Sequence, residues 1–184
     1  MFTVQVPDLI IRQSIEVCRK TNFGQRGIHD GTPTQQLYGV IAQNAILFGL
    51  GHPLIKPSND WDGGFDMVLS KQRIDIKTVI RTVPPKPEYE CRVVADQMNY
   101  DLDAYLFTSY NTQTNQLTIC GWLPKEEIKT RARVFRKGDV VERSDGSFFT
   151  CKLNSYQIYY HQLNHEAENF EQLIEEIDIY SILQ

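Results

Sequence analysis

The stretch Gly63-Gly64-Phe65-Asp66-Met67-Val68-Leu69-Ser70-Lys71-Gln72-Arg73-Ile74-Asp75-Ile76-Lys77 decides the fold. Apolar and polar residues alternate on both sides of a short polar centre, the pattern of two strands joined by a hairpin turn. Phe65, Met67 and Leu69 take one face of the first strand, and Asp66 and Val68 the other. On the second strand Ile74, Ile76 and Thr78 share one face, and Asp75, Lys77 and Val79 share the opposite one. Residues two apart in a strand point the same way, so Asp75 and Lys77 are neighbours. A two- or four-residue loop centred on Lys71-Gln72 sets Asp66 opposite Lys77 and Val68 opposite Asp75. All three ionic side chains then converge on one face, whereas a three-residue loop would throw Asp66 to the other.

Two carboxylates and an ammonium on a largely apolar hairpin are costly unless they serve one another or a metal. Hard divalent cations such as Mg²⁺ take oxygen ligands, commonly one or two carboxylates plus substrate phosphate. These residues resemble the active-site hairpin of the PD-(D/E)xK nuclease superfamily, the restriction-endonuclease-like fold. Asp66 matches the first acidic position and Asp75-Ile76-Lys77 the second half of the signature, with eight residues between the aspartates. Phe65 stands where the signature places a proline.

The resemblance implies an α/β (α+β) chain. It would have a restriction-endonuclease-like core, a central mixed β-sheet flanked by helices, extra C-terminal strands and an acidic C-terminal helix. It implies Mg²⁺-dependent hydrolysis of phosphodiester bonds in DNA, with Mn²⁺ as a substitute ion, leaving 5′-phosphate and 3′-hydroxyl ends. Asp66, Asp75 and the carbonyl of Ile76 would be the metal ligands, and Lys77 would hold the attacking water or the scissile phosphate. The superfamily often carries a glutamate on the helix before the hairpin. This chain has Gln43 and Asn44 there, 23 and 22 residues before Asp66. A glutamine can offer an amide oxygen to a metal or water but adds no charge, so Gln43 is either a site residue or a polar residue at a helix–sheet boundary. Superfamily members often cut double-stranded DNA as dimers, which makes a homodimer an expected partner. The missing helix glutamate and the acidic tail keep a second reading open, a non-catalytic nucleic-acid-binding or partner-binding member of the same fold.

The remaining sequence frames that site. At 184 residues with 41% hydrophobic content, one domain with its own core is expected, its nuclease-like core spanning about 32–130 and an extension about 131–184. No apolar run approaches a membrane span, and no basic segment followed by an apolar one opens the chain. The four cysteines, Cys18, Cys91, Cys120 and Cys151, form no C-x-x-C pair, so zinc is not expected and a reducing cytoplasm is. The net charge is −4, but residues 164–184 hold six of the 23 acidic residues and none of the 19 basic ones. Lys129, Arg131, Arg133, Arg136 and Lys137 cluster into a stripe that either tracks a phosphate backbone or is simply solvated surface.

Elsewhere, residues 8–20 read as an amphipathic helix and Asn22 to Gly31 as a loop. Thr32-Pro33-Thr34-Gln35 opens a second helix with a capping box, with Leu37, Val40, Ile41, Ala45 and Phe48 as its apolar stripe. Asp60, Asp62, Gly63 and Gly64 read as a turn. Ala104–Tyr110 and Gln116–Trp122 read as paired strands leading into a short helix at Pro124–Ile128, an order that also resembles the superfamily. Lys137-Gly138-Asp139 and Asp145-Gly146 mark turns, strands are expected near 147–152 and 156–160, and an acidic helix over 165–180. His161 and His165 lie four apart, but a strand-to-helix boundary falls between them and no third ligand is evident, so a structural role is expected.

Overall fold

All eight residues of Ala104–Asn111, strand β5, are buried. A strand with no solvent face must be covered on both sides, and that requirement organises the molecule. The computed structural model describes residues 1–21, 32–57, 64–142 and 148–182. Within them the other strands are β1 (Phe2–Gln5), β2 (Met67–Leu69), β3 (Gln72–Arg81), β4 (Glu90–Val94), β6 (Gln116–Pro124), β7 (Arg133–Phe135), β8 (Val140–Glu142), β9 (Phe148–Thr150) and β10 (Ser155–Tyr159). The helices are α1 (Asp8–Lys20), α2 (Pro33–Gly49), α3 (Lys125–Arg131) and α4 (Phe170–Ile182).

The main sheet runs β1-β6-β5-β3-β2. β3 and β5 are parallel, from Ile74 beside Ala104 to Arg81 beside Asn111, and the other pairings are antiparallel. The chain is therefore a mixed α/β protein with a mixed central sheet. Ile74, Ile76, Leu106, Tyr110, Leu117 and Ile119 face a core shared with Ile10 of α1, Ile41, Ala45 and Ile46 of α2, and Leu173 and Ile177 of α4. Tyr105, Phe107, Cys120 and Leu123 face a second core with Cys91 and Val93 of β4, Ile128 of α3 and Ile158 of β10. Each fully buried large apolar side chain contributes about 1.5–3 kcal/mol, so two complete cores rest on one sheet.

The α2 capping box forms as its residues predict, with Thr32 Oγ1 accepting from Gln35 N and Gln35 Oε1 accepting from Thr32 N. Its expected stripe is buried at Val40, Ile41 and Ala45, with Leu37 packed against the core, but Phe48 is 53% exposed, and Ala42, Asn44 and Ile46 are buried as well. The helix packs on α1 as well as on the sheet, and Asn44 is the polar link: its amide donates to Ser14 Oγ at 2.9 Å and its carbonyl oxygen accepts from Ile55 N at 2.9 Å.

Four strands arise that alternation alone does not announce, β1, β4, β7 and β8. β4 pairs with β10, which also pairs with β7, so the C-terminal strands join the segment between β3 and β5 in one three-stranded sheet. The last helix begins at Phe170, later than its acidic composition predicts. The expected loop at Asn22–Gly31, the turn residues Asp60, Asp62 and Gly63, and the Asp145-Gly146 turn lie outside the described residues. No described helix is long and apolar enough to cross a membrane.

Gly121 fixes how the C-terminal segment docks. The β5–β6 register shifts between Phe107 and Thr108, and Gly121 takes φ +142° on the facing strand. There Trp122 and Asn164 exchange main-chain hydrogen bonds of 2.9 and 3.0 Å. A Cβ on residue 121 would lie 2.6 Å from the Asn164 carbonyl oxygen. Gly121→Ala is expected to lower stability by about 1–3 kcal/mol, read as a lower midpoint in thermal unfolding. An unchanged midpoint would show that this close approach is not required.

Candidate active site

The hairpin turn is Ser70-Lys71, with φ of +49° and +65°. Two consecutive left-handed residues are the signature of a tight two-residue turn whose twist matches its strands. The ladder runs Leu69–Gln72, Val68–Arg73 and Met67–Ile74. The turn thus sits one residue earlier than the expected loop centre, and the register moves by two. The described ladder ends at Met67–Ile74, where Asp66 N also donates to Ile74 O, so Asp66 does not stand opposite Lys77, and Arg73 rather than Asp75 stands opposite Val68. A shift of two preserves the faces, so Asp66, Asp75 and Lys77 still converge.

Asp66 is held at three points just past the end of β2. Its main-chain N–H donates to Ile74 O at 2.9 Å. Its carboxylate Oδ2 accepts from Ile76 N at 2.6 Å. Its main-chain carbonyl accepts from the Gln43 side-chain amide. The carboxylate therefore supplies the acceptor that β3 lacks once β2 has ended, and an edge donor that would otherwise go unpaired is satisfied. Gln43 acts here through its nitrogen, bracing the Asp66 backbone from α2. Asp75 is buried, and its Oδ2 lies 2.5 Å from Lys77 Nζ. Lys77 in turn stands 5.8 Å from the centre of the Tyr105 ring, the residue that pairs with Asp75 across the parallel ladder. Tyr105 has no sequence signal that sets it apart from the other tyrosines; only the β3–β5 register brings it here. Ile76 points its side chain into the opposite core.

The electrostatics follow from this crowding. Burial raises the Asp66 carboxyl well above the usual aspartate range, and the neighbouring Asp75 raises it further; the Ile76 N–H and Lys77 oppose both. Burial and then Asp75 also push the Tyr105 hydroxyl upward. Next to the site, Arg73 grips Asp103 with Nε–Oδ2 and NH2–Oδ1 contacts of 3.0 Å, tying the start of β3 to the start of β5.

The basic stripe divides. Arg131 is tied to Glu127, Gln162 O and Asn164, and so staples α3 to the C-terminal segment. Arg133 lies over Phe135, with 4.9 Å from its guanidinium to the ring centre. Lys129, Arg133, Arg136 and Lys137 are exposed. His161 and His165 serve the chain locally, their Nδ1 atoms facing the carbonyls of Pro87 and Leu163. All four cysteines are free. Among the described residues no three His, Cys, Asp or Glu side chains converge as a metal-binding group. Comparison with models of known families and with curated proteins finds no match to this chain.

A carboxyl whose folded pKa is raised holds its proton more tightly in the fold than in the unfolded chain. Its contribution is present below the unfolded value of about 4 and is lost as pH rises toward the folded value. Asp66→Asn is expected to remove that loss, flattening the fall in stability above about pH 4 in denaturant titrations. An unchanged slope would mean that Asp66 is not the group responsible.

Proposed function

We propose that this chain is a metal-dependent endodeoxyribonuclease built on a restriction-endonuclease-like core. The observation that carries this reading is the crowding of the Asp66 and Asp75 carboxyl groups at the hairpin, with Lys77 paired to Asp75 on the same strand face. The site also passes a test of fit for a hard divalent cation. Two crowded carboxyl groups, one of them disfavoured as an anion by burial, gain most from a neighbouring positive charge, and both offer oxygen donors. Asp66, Asp75 and the Ile76 carbonyl would hold Mg²⁺ or Mn²⁺, the balance coming from water and substrate phosphate. Bound there, such an ion supplies charge relief at phosphorus and a more acidic water.

The chain's own residues do the rest. Lys77, kept close by Asp75, places a cation where negative charge develops on the phosphate oxygens. Gln43 and the Ile76 N–H fix Asp66, so that its carboxylate does not rotate away when it loses its proton. Tyr105 and Phe107 form an apolar floor that limits water beneath Asp75 and Lys77, which strengthens their interactions. The exposed Lys129, Arg133, Arg136 and Lys137 are available to phosphates farther along a duplex.

A second reading, a non-catalytic nucleic-acid-binding protein of the same fold, is favoured by one observation: the Gln43 amide is spent on the Asp66 backbone, and no carboxylate of a described helix reaches the pair. Incubation of supercoiled plasmid with the purified chain separates the two. Nicking or linearisation in Mg²⁺ or Mn²⁺, stopped by EDTA, is expected. Asp75→Ala should abolish it, and Lys77→Ala should cut it about 10²-fold or more, with both variants still folded. No cutting of DNA or RNA under either metal would favour the second reading, and cutting that survives Asp75→Ala would remove the proposed site.

A further inference from the structure

Beyond Lys77, the same face of β3 continues through Val79 to Arg81, and these two residues form one wall of an open cleft of about 930 Å³. Its other walls are the outer face of β4, which presents Glu90 and Arg92, the end of β10 at Tyr159, and Val141, Glu142 and Phe149 of the β8–β9 hairpin. By strand rise, Arg81 lies about 13 Å along β3 from Lys77. A nucleic-acid strand running along β3 across the carboxylate pair would reach the cleft.

Its chemistry is that of a nucleotide site. The Arg81 guanidinium lies 4.4 Å from the centre of the Tyr89 ring, and Arg92 lies 5.2 Å from that of Phe149. Neither arginine is ion-paired with a described carboxylate. Arg81 Nη2 donates to the Glu90 carbonyl at 3.4 Å, while its buried Nε meets no acceptor in hydrogen-bond geometry. Buried donors in that condition are uncommon and costly. Tyr159 is a braced platform, stacked on His161 at 5.3 Å with rings 11° apart. Glu88, Glu90 and Glu142 line the cleft as well. Three carboxylates offset two guanidiniums, so bare phosphate is a poor occupant. A base fits better, since its flat face stacks on aromatic rings, its amino groups donate to carboxylates and its phosphate meets an arginine. A paired base has its hydrogen-bonding edge occupied, which selects an unpaired one.

We propose that this cleft binds an unpaired nucleotide of the nucleic-acid strand that crosses the Asp66–Asp75 pair, an assignment that rests on the nuclease reading for that strand's path. The test is fluorescence anisotropy with short labelled single strands, DNA and RNA of one sequence, and the matching duplex. It is run in EDTA with the full chain, and the probe is recovered intact afterwards. Single-strand binding that exceeds duplex binding, and that weakens about tenfold in Arg92→Gln and in Tyr159→Leu, is the expected result. The preferred sugar then identifies the strand. Arg92 is exposed, so a folded Arg92→Gln protein keeps the test decisive even where Tyr159→Leu unfolds. Absence of single-strand binding, affinities unchanged by Arg92→Gln, or a duplex bound as tightly would overturn the assignment. Metal-dependent cutting with affinity indifferent to Arg92 sinks the cleft alone. Affinity that depends on Arg92 without any cutting sinks the nuclease reading and leaves the cleft.

Discussion

The parallel ladder between β3 and β5 is the constraint on which the rest depends. It puts Ile74 and Ile76 into one core, and Tyr105 and Phe107 into the other, at the same height in the sheet. Asp75 and Lys77 are thereby committed to the Tyr105 face, because a strand cannot turn one residue without turning its neighbours. Two devices fix this register at its start. The Arg73–Asp103 pair joins the first turns of both strands, and Asp103 N donates to Arg73 O at 2.8 Å. The face of β3 that carries ionic groups is thus held by the apolar packing of the other face.

Asp66 shows how a buried carboxyl is accommodated at a sheet edge. β2 is only three residues long, so the outward N–H of Ile76 has no strand beyond Met67 to receive it. The Asp66 carboxylate takes that role, and Gln43 holds the Asp66 main chain from α2. One side chain therefore satisfies the backbone and faces Asp75. The cost is a carboxyl that resists ionisation, which is the property that makes the pair responsive to a positive charge.

The second layer comes from residues distant in sequence. β4 lies between β3 and β5 in the chain, yet its partner is β10, about sixty residues farther on. Gly121 admits the Asn164 backbone against β6, and Arg131 fastens α3 to the same segment. These contacts close the Tyr105 core and build the cleft at Arg81. The apolar positions of β4, Cys91 and Val93, are too few to announce a strand by alternation, which is why the cleft leaves no motif.

The sequence by itself determined the alternation of the hairpin, the shared face of Asp75 and Lys77, the capped start of α2 and the β5–β6 pair, because each follows from spacing between near neighbours. Asn44, polar yet fully buried, and Phe48, exposed on the apparent stripe, show its limit: what α2 buries depends on α1 as well as the sheet. Only the tertiary structure decided that the turn falls on Ser70-Lys71, that Asp66 meets Asp75 and not Lys77, and that Gln43 grips a backbone carbonyl. It also brought Arg81, Arg92 and Tyr159 around one cleft. Those arrangements depend on register and on pairings between distant segments, where the packing of whole faces, not local preference, sets the lowest free energy.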